Sequence, residues 1–160
     1  MTRHLIWSDI ECARSRIATQ PGMSCATSAE YSGIDGTGKF QRWAAGTQSP
    51  TVSTYVMLVD AATTSVHLPL KRDEEAEFLP EISNFTRNNA HEWTPLVELA
   101  GGFYANFKAG DGRPCFAFVK PGPARGDGLA WVIRGYHCVG GRQPLAADRI
   151  AGVIGGLKAR

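Results

Sequence analysis

The side chains best suited to nucleophilic chemistry are a cysteine and two histidines. Cys25 lies in a polar stretch, and His67 and His91 are the histidines that could serve it as a base. A cysteine nucleophile needs a lowered pKa and a nearby base, because the thiolate attacks the substrate and the thiol does not. No local sequence signature surrounds Cys25. The three residues are therefore catalytic candidates, but a structural role for Cys25 is the preferred interpretation.

A glycine-rich stretch, GIDGTGK over residues 33–39, resembles the phosphate loop of thymidylate-kinase-like enzymes. Such a loop cradles phosphate with backbone N–H groups and a lysine, and a following Ser or Thr binds Mg²⁺. Here Phe40 follows Lys39, and the flanking sequence favours neither the buried strand nor the helix that the loop requires. Gly33, Gly38 and Lys39 are therefore rejected as a cofactor site. The stretch is predicted to be a turn that leads into a strand, and no cofactor is predicted.

None of the four cysteines lies in a C-x-x-C pair, so the usual zinc and thioredoxin signatures are missing. An even number of cysteines is compatible with two disulfides or with four reduced, buried thiols. A bridge from Cys12 to Cys25 is one alternative to catalysis. A bridge from Cys115 to Cys138 is left open, because the predicted hairpin puts Cys115 opposite about residue 134 and disulfides require a short Cα separation.

Two metal-ligating residue types are also adjacent, at His137 and Cys138. Neighbouring residues of a strand point to opposite faces, so one ion would not readily bind both side chains. A histidine whose polar atoms are satisfied within a sheet is the preferred interpretation. No metal site is predicted.

The composition excludes several classes of protein. The chain has 160 residues, of which 43% are hydrophobic and 20% are charged, as is usual for one globular domain spanning 1–160. No stretch is apolar enough to cross a membrane, and no signal peptide is recognised. The chain is therefore expected to be cytoplasmic, or exported with its signal already removed. The net charge of +2 and the lack of a recognition motif make nucleic-acid binding an unexpected function.

Charge is unevenly distributed along the chain. Residues 51–100 carry a net charge of −5 and residues 101–160 a net charge of +6. Two solvated surfaces are the simpler explanation. A field that steers a partner, or head-to-tail self-association, is the functional alternative.

The pattern of apolar residues predicts an α+β fold with a mostly antiparallel sheet of about five to seven strands. Helices are expected near 9–19, 73–89 and 145–158, the first because Ser8 and Glu11 form a capping box. A strand over 51–60 is expected to form a hairpin with 65–70. The other expected strands are 39–45, 103–108, 114–120 and 129–138, with 96–100 left uncertain.

These observations favour a non-enzymatic module that binds a protein or a ligand over an enzyme. Exposed strand edges make a protein partner, or a homodimer, the expected form of binding. The element order is loosely similar to that of secretion chaperones and profilin-like domains, and this analogy assigns no residue a role. The alternative is a small hydrolase or transferase that uses a cysteine and a histidine.

Overall fold

The computed structural model describes residues 6–32, 38–49, 51–61, 65–66 and 90–160. Within these residues, eight strands form one antiparallel sheet, two short strands form a ribbon, and one α-helix packs on the sheet. The fold is therefore a sheet-rich single domain with more strands than the five to seven predicted. The strands are β1 Ser8–Ile10, β2 Ser24–Ser32, β3 Gly38–Gln48, β4 Val52–Ala61, β5 Val97–Leu99, β6 Gly102–Lys108, β7 Pro114–Pro121, β8 Ala124–Arg125, β9 Gly128–Leu129 and β10 Trp131–Val139, and the helix is α1 Ala147–Gly156.

Two antiparallel meanders make up the large sheet, whose strand order is β1-β2-β3-β4-β10-β7-β6-β5. The first meander contains β1 to β4, and the second contains β5, β6, β7 and β10. They join where β4 pairs with β10 over nine residue pairs, from Trp131↔Asp60 to Val139↔Val52. Tight backbone contact is needed at this junction, because a Cβ added to Gly135 would lie 1.8 Å from the carbonyl oxygen of Tyr55.

Two predicted elements are wrong. The segment 9–19 is not helical: Ser8–Ile10 pairs with β2, and only Cys12–Arg14 forms a 3₁₀ turn. Strand pairing and the tether from Cys12 to Cys25 outweigh the local capping signal of Ser8 and Glu11. The expected hairpin between 51–60 and 65–70 is also wrong where it is described, since both edges of β4 are taken by β3 and β10 and Val66 pairs with Leu129. Residues 67–70 lie outside the described residues.

The hairpin that joins β7 to β10 keeps one register over its whole length. Pro121 lies opposite Val132, and the same register continues through β8 and β9 to the pair Arg125↔Gly128. Gly126 and Asp127 are thus the two turn residues, and Gly126 has the positive φ of 57° that such a turn requires. The sequence prediction placed the turn too early, because it took all of 121–128 as a loop.

Helix α1 covers one face of the sheet, as the prediction for 145–158 expected. Its buried residues Ile150 and Ile154 contact a core that contains Val56, Phe116 and Ile133. Lys120 stabilises the end of the helix, since its Nζ donates to the carbonyl oxygens of Ile154 at 3.0 Å and Leu157 at 2.7 Å. The chain after α1 then pairs with the segment after the 3₁₀ turn, through an Ile17↔Ala159 bridge.

The opposite face of the sheet holds a second core, built around Phe107, Val119, Val132 and Tyr136. Trp93 covers part of it and stacks on Phe107 with ring centroids 4.5 Å apart. The helix predicted for 73–89 lies outside the described residues, as do five of the eight acidic residues of the segment 51–100. In the part of the chain that is described, no helix has the length and apolar character needed to span a membrane.

Candidate functional site

The catalytic candidates from the sequence do not come together in the described structure. Cys25 is 6% exposed and forms a disulfide with Cys12, so it has no thiolate in this state. His91 lies at the surface, where its backbone pairs with that of Lys108. His67 lies outside the described residues. The described structure therefore assembles no cysteine–histidine pair.

The second disulfide joins Cys115 and Cys138, whose Cα atoms are 4.1 Å apart. The two residues lie directly opposite each other on β7 and β10, so no bulge is needed to bridge them. The prediction that Cys115 lies opposite about residue 134 is wrong, because it placed the turn of this hairpin too early in the chain. Among the described residues no cysteine is free, and no cluster of three or more His, Cys, Asp or Glu side chains could hold a metal ion.

The glycine-rich stretch leads into a strand. Gly38 and Lys39 are the first residues of β3, where they pair with Ser32 and Tyr31 of β2. A phosphate loop would instead place its lysine at the N-terminus of a helix. Gly33 lies outside the described residues.

A cleft opens elsewhere, between α1, the helix-facing side of the sheet and the segment 17–23. It consists of two adjoining hollows, a larger one of about 540 Å³ and a smaller one of about 110 Å³. Both hollows are lined by Gln20, Met23, Thr54, His137, Gly152 and Val153. The segment 17–23 forms one wall of the cleft. The disulfide between Cys12 and Cys25 closes the loop that contains this segment.

His137 is the only titratable side chain among the described residues that lines both hollows. It lies in β10 between Thr54 of β4 and Phe116 of β7, and it is 6% exposed. Its Nδ1 is 2.7 Å from the hydroxyl oxygen of Thr54, and its ring lies 5.5 Å from that of Phe116. The strand pairing therefore fixes the imidazole at the base of the cleft.

The other ring nitrogen of His137 is buried and has no hydrogen-bond partner among the described residues. Such an unpaired group costs the folded state about 1–3 kcal/mol. Ser28 Oγ and Trp43 Nε1 are also buried without a partner in the described part of the chain, but neither residue lines the cleft.

The electrostatic environment keeps His137 neutral. Burial lowers the pKa of His137 to about 4, and the positive charge of Arg149 acts in the same direction to a smaller extent. A histidine of this pKa is a poor general base near pH 7, because efficient proton transfer needs a pKa close to the working pH. The neutral ring therefore adds no charge to the base of the cleft.

Glycines on α1 make the space for the cleft. Gly152 and Gly156 are one helical turn apart on the side of α1 that lines the smaller hollow. A Cβ added to either residue would meet no atom within 4 Å. Larger residues would therefore fit at these positions without a clash.

The sequence interpretation identified His137 but assigned it a satisfied place in the sheet. The sequence signal that could have indicated the cleft is the pair Gly152 and Gly156. Each glycine lowers helix stability by about 1 kcal/mol, so two glycines on one face of a helix indicate that space is needed there. Comparison with family models, with curated proteins and with solved structures gives no match. The functional interpretation therefore depends on the geometry of the cleft.

Proposed function

We propose that the protein is a non-enzymatic binding module whose cleft between α1 and the sheet holds a small ligand. The observation that supports this most directly is the concave space between α1 and the sheet, with the fixed side chains of His137 and Thr54 at its base. A concave, mostly apolar surface with a few fixed polar groups is the usual form of a ligand site. The volume of about 540 Å³ for the larger hollow lies within the range of such sites.

The cysteine–histidine hydrolase is the less supported alternative. It would need Cys25 in its reduced form, whereas this residue is buried and bridged to Cys12. The two disulfides favour a place of action that is oxidising, because reducing compartments keep thiols free.

Binding of a protein partner, or a homodimer, remains a prediction. Among the described residues, the outermost strands of the sheet are β1 and β5, each of only three residues. Short edge strands are one way in which proteins prevent sheet-to-sheet pairing, so the cleft is the better supported binding surface.

The proposal is tested by filling the cleft with a larger side chain on α1. Gly152→Leu places a side chain in the cleft, and Gly155→Leu is the matched control, since Gly155 lies on the same helix, does not line either hollow and also has open space around it. Both changes replace a helix-weakening glycine, so both variants are expected to fold.

The probe is 8-anilino-1-naphthalenesulfonate, whose fluorescence rises in apolar sites. We expect the wild type and Gly155→Leu to bind it alike, and Gly152→Leu to bind it at least tenfold more weakly. Equal binding by the two leucine variants, or no binding by the wild type of either this probe or the alkyl probes described below, would show that the cleft is not a ligand site.

A further inference from the structure

The two hollows of the cleft differ in chemistry. The smaller one is lined mainly by apolar groups, among them Ile17, Val56 and Leu157. The larger one is also lined by Thr47 and by the charged side chain of Arg149, which do not line the smaller one. The cleft thus has an apolar end and a cationic end, with His137 and Thr54 between them.

Among the described residues, the cationic end has no counter-charge within the cleft. None of the described residues that line either hollow is acidic, and Arg149 makes no ion pair with any of them. The side chain is exposed, so its charge is available to a bound molecule. His137 is neutral and adds no charge of either sign at neutral pH.

The apolar end sets a limit on the size of what it can hold. Its volume is about 110 Å³. A short alkyl chain fits this volume, and each methylene group transferred from water is favourable.

We propose, on the basis of the binding function proposed above, that the ligand is a small amphipathic carboxylate. Its carboxylate group pairs with the guanidinium of Arg149 in the larger hollow. Its alkyl chain passes His137 and enters the smaller hollow beneath Gly152 and Gly156. The guanidinium suits this role, because its planar N–H groups match the geometry of a carboxylate.

The test compares three probes that carry the same five-carbon alkyl chain and differ only in the head group: hexanoate, 1-pentanol and pentylamine. Amide chemical shifts of the labelled protein measure each affinity and locate the bound probe, with Gly152 and His137 as reporters. We expect hexanoate to bind about three- to fivefold more tightly than 1-pentanol, as is typical of an exposed ion pair, and pentylamine to bind least well.

The matched variants are Arg149→Gln and Arg142→Gln, which remove the same charge from two exposed arginines. Only Arg149 lines the cleft. Arg149→Gln is expected to lower the affinity for hexanoate to that for 1-pentanol and to leave the affinity for 1-pentanol unchanged. Arg142→Gln is expected to change neither affinity.

Each outcome decides between the two proposals. Equal affinity of hexanoate and 1-pentanol, with shifts at Gly152, would overturn the carboxylate ligand and leave the binding cleft intact. Equal losses of affinity for hexanoate in Arg149→Gln and Arg142→Gln would also overturn the carboxylate ligand, since the net charge of the protein alone would then explain the effect. The binding function itself fails if none of the three probes shifts the amide resonances of Gly152 or His137 and 8-anilino-1-naphthalenesulfonate is also not bound in the cleft.

Discussion

Protonation of His137 is expected to destabilise the fold at mildly acidic pH. The folded protein holds the pKa of His137 at about 4, through burial and the charge of Arg149, against an ordinary value of 6.5. Below pH 6.5 the unfolded chain therefore binds a proton that the folded protein does not. Because the unfolded state binds more protons, the free energy of unfolding falls as the pH falls from 6.5 towards 4.

The size of this effect follows from the two pKa values. Each unit of difference corresponds to about 1.4 kcal/mol, so the contribution of His137 to stability falls by about 2.5 kcal/mol between pH 7.5 and pH 4.5. Such a loss is a large part of the stability of a small domain, which is about 5–15 kcal/mol. The window lies above the pKa of most carboxylates, which limits their contribution.

The assay is urea denaturation of the wild type and of His137→Phe between pH 7.5 and pH 4.5, without reductant. Phenylalanine keeps the ring against Phe116 but cannot be protonated. We expect the wild type to lose about 2.5 kcal/mol more stability than the variant across this range. Parallel pH profiles for the two proteins would refute the assignment of a neutral, buried His137.

Two further predictions concern elements that fix the fold. Replacing the Cys115–Cys138 bridge by two alanines is expected to lower the free energy of unfolding by about 3.5 kcal/mol, given a sequence separation of 23 residues; urea denaturation measures it, and an unchanged midpoint would contradict a bridge between these residues. Lys120→Met keeps the aliphatic stem and removes both bonds to the end of α1, so a loss of about 1–2 kcal/mol is expected. The exposed Lys158→Met is the control, and equal losses in the two variants would show that Lys120 does not stabilise the helix.

The strands of the sheet were largely predictable, because their residues carry the signal locally. The β-branched and aromatic run in 51–60 and the alternation in 103–108 correspond to β4 and β6. The segment 9–19 failed because its local helix signal is overridden by pairing with β2, a contact that no short window of sequence contains. The register of the last hairpin failed because the turn is only two residues, Gly126 and Asp127, and the strands continue through a glycine- and proline-rich stretch.

The cleft was less predictable than the sheet. Thr54 and His137 are far apart in sequence and meet only because β4 and β10 join the two meanders. The unpaired nitrogen of His137 depends on what surrounds the ring, which no pattern along the chain reports. Arg149 and Gly152 are only three positions apart and lie on the same side of α1. That this side lines a cleft is known only once the sheet and the segment 17–23 are placed opposite it.

The division of the sheet into two meanders also bears on how the protein acquires its disulfides during synthesis. Each bridge lies within one meander: Cys12–Cys25 in the first and Cys115–Cys138 in the second. As the chain grows from its N-terminus, the first two thiols meet before the second two have been made. The order of translation thus matches the order of pairing, whereas a complete, reduced chain must select one of three pairings of four thiols. Oxidation during synthesis is therefore expected to give fewer wrong disulfide pairings than oxidative refolding of the complete, reduced chain.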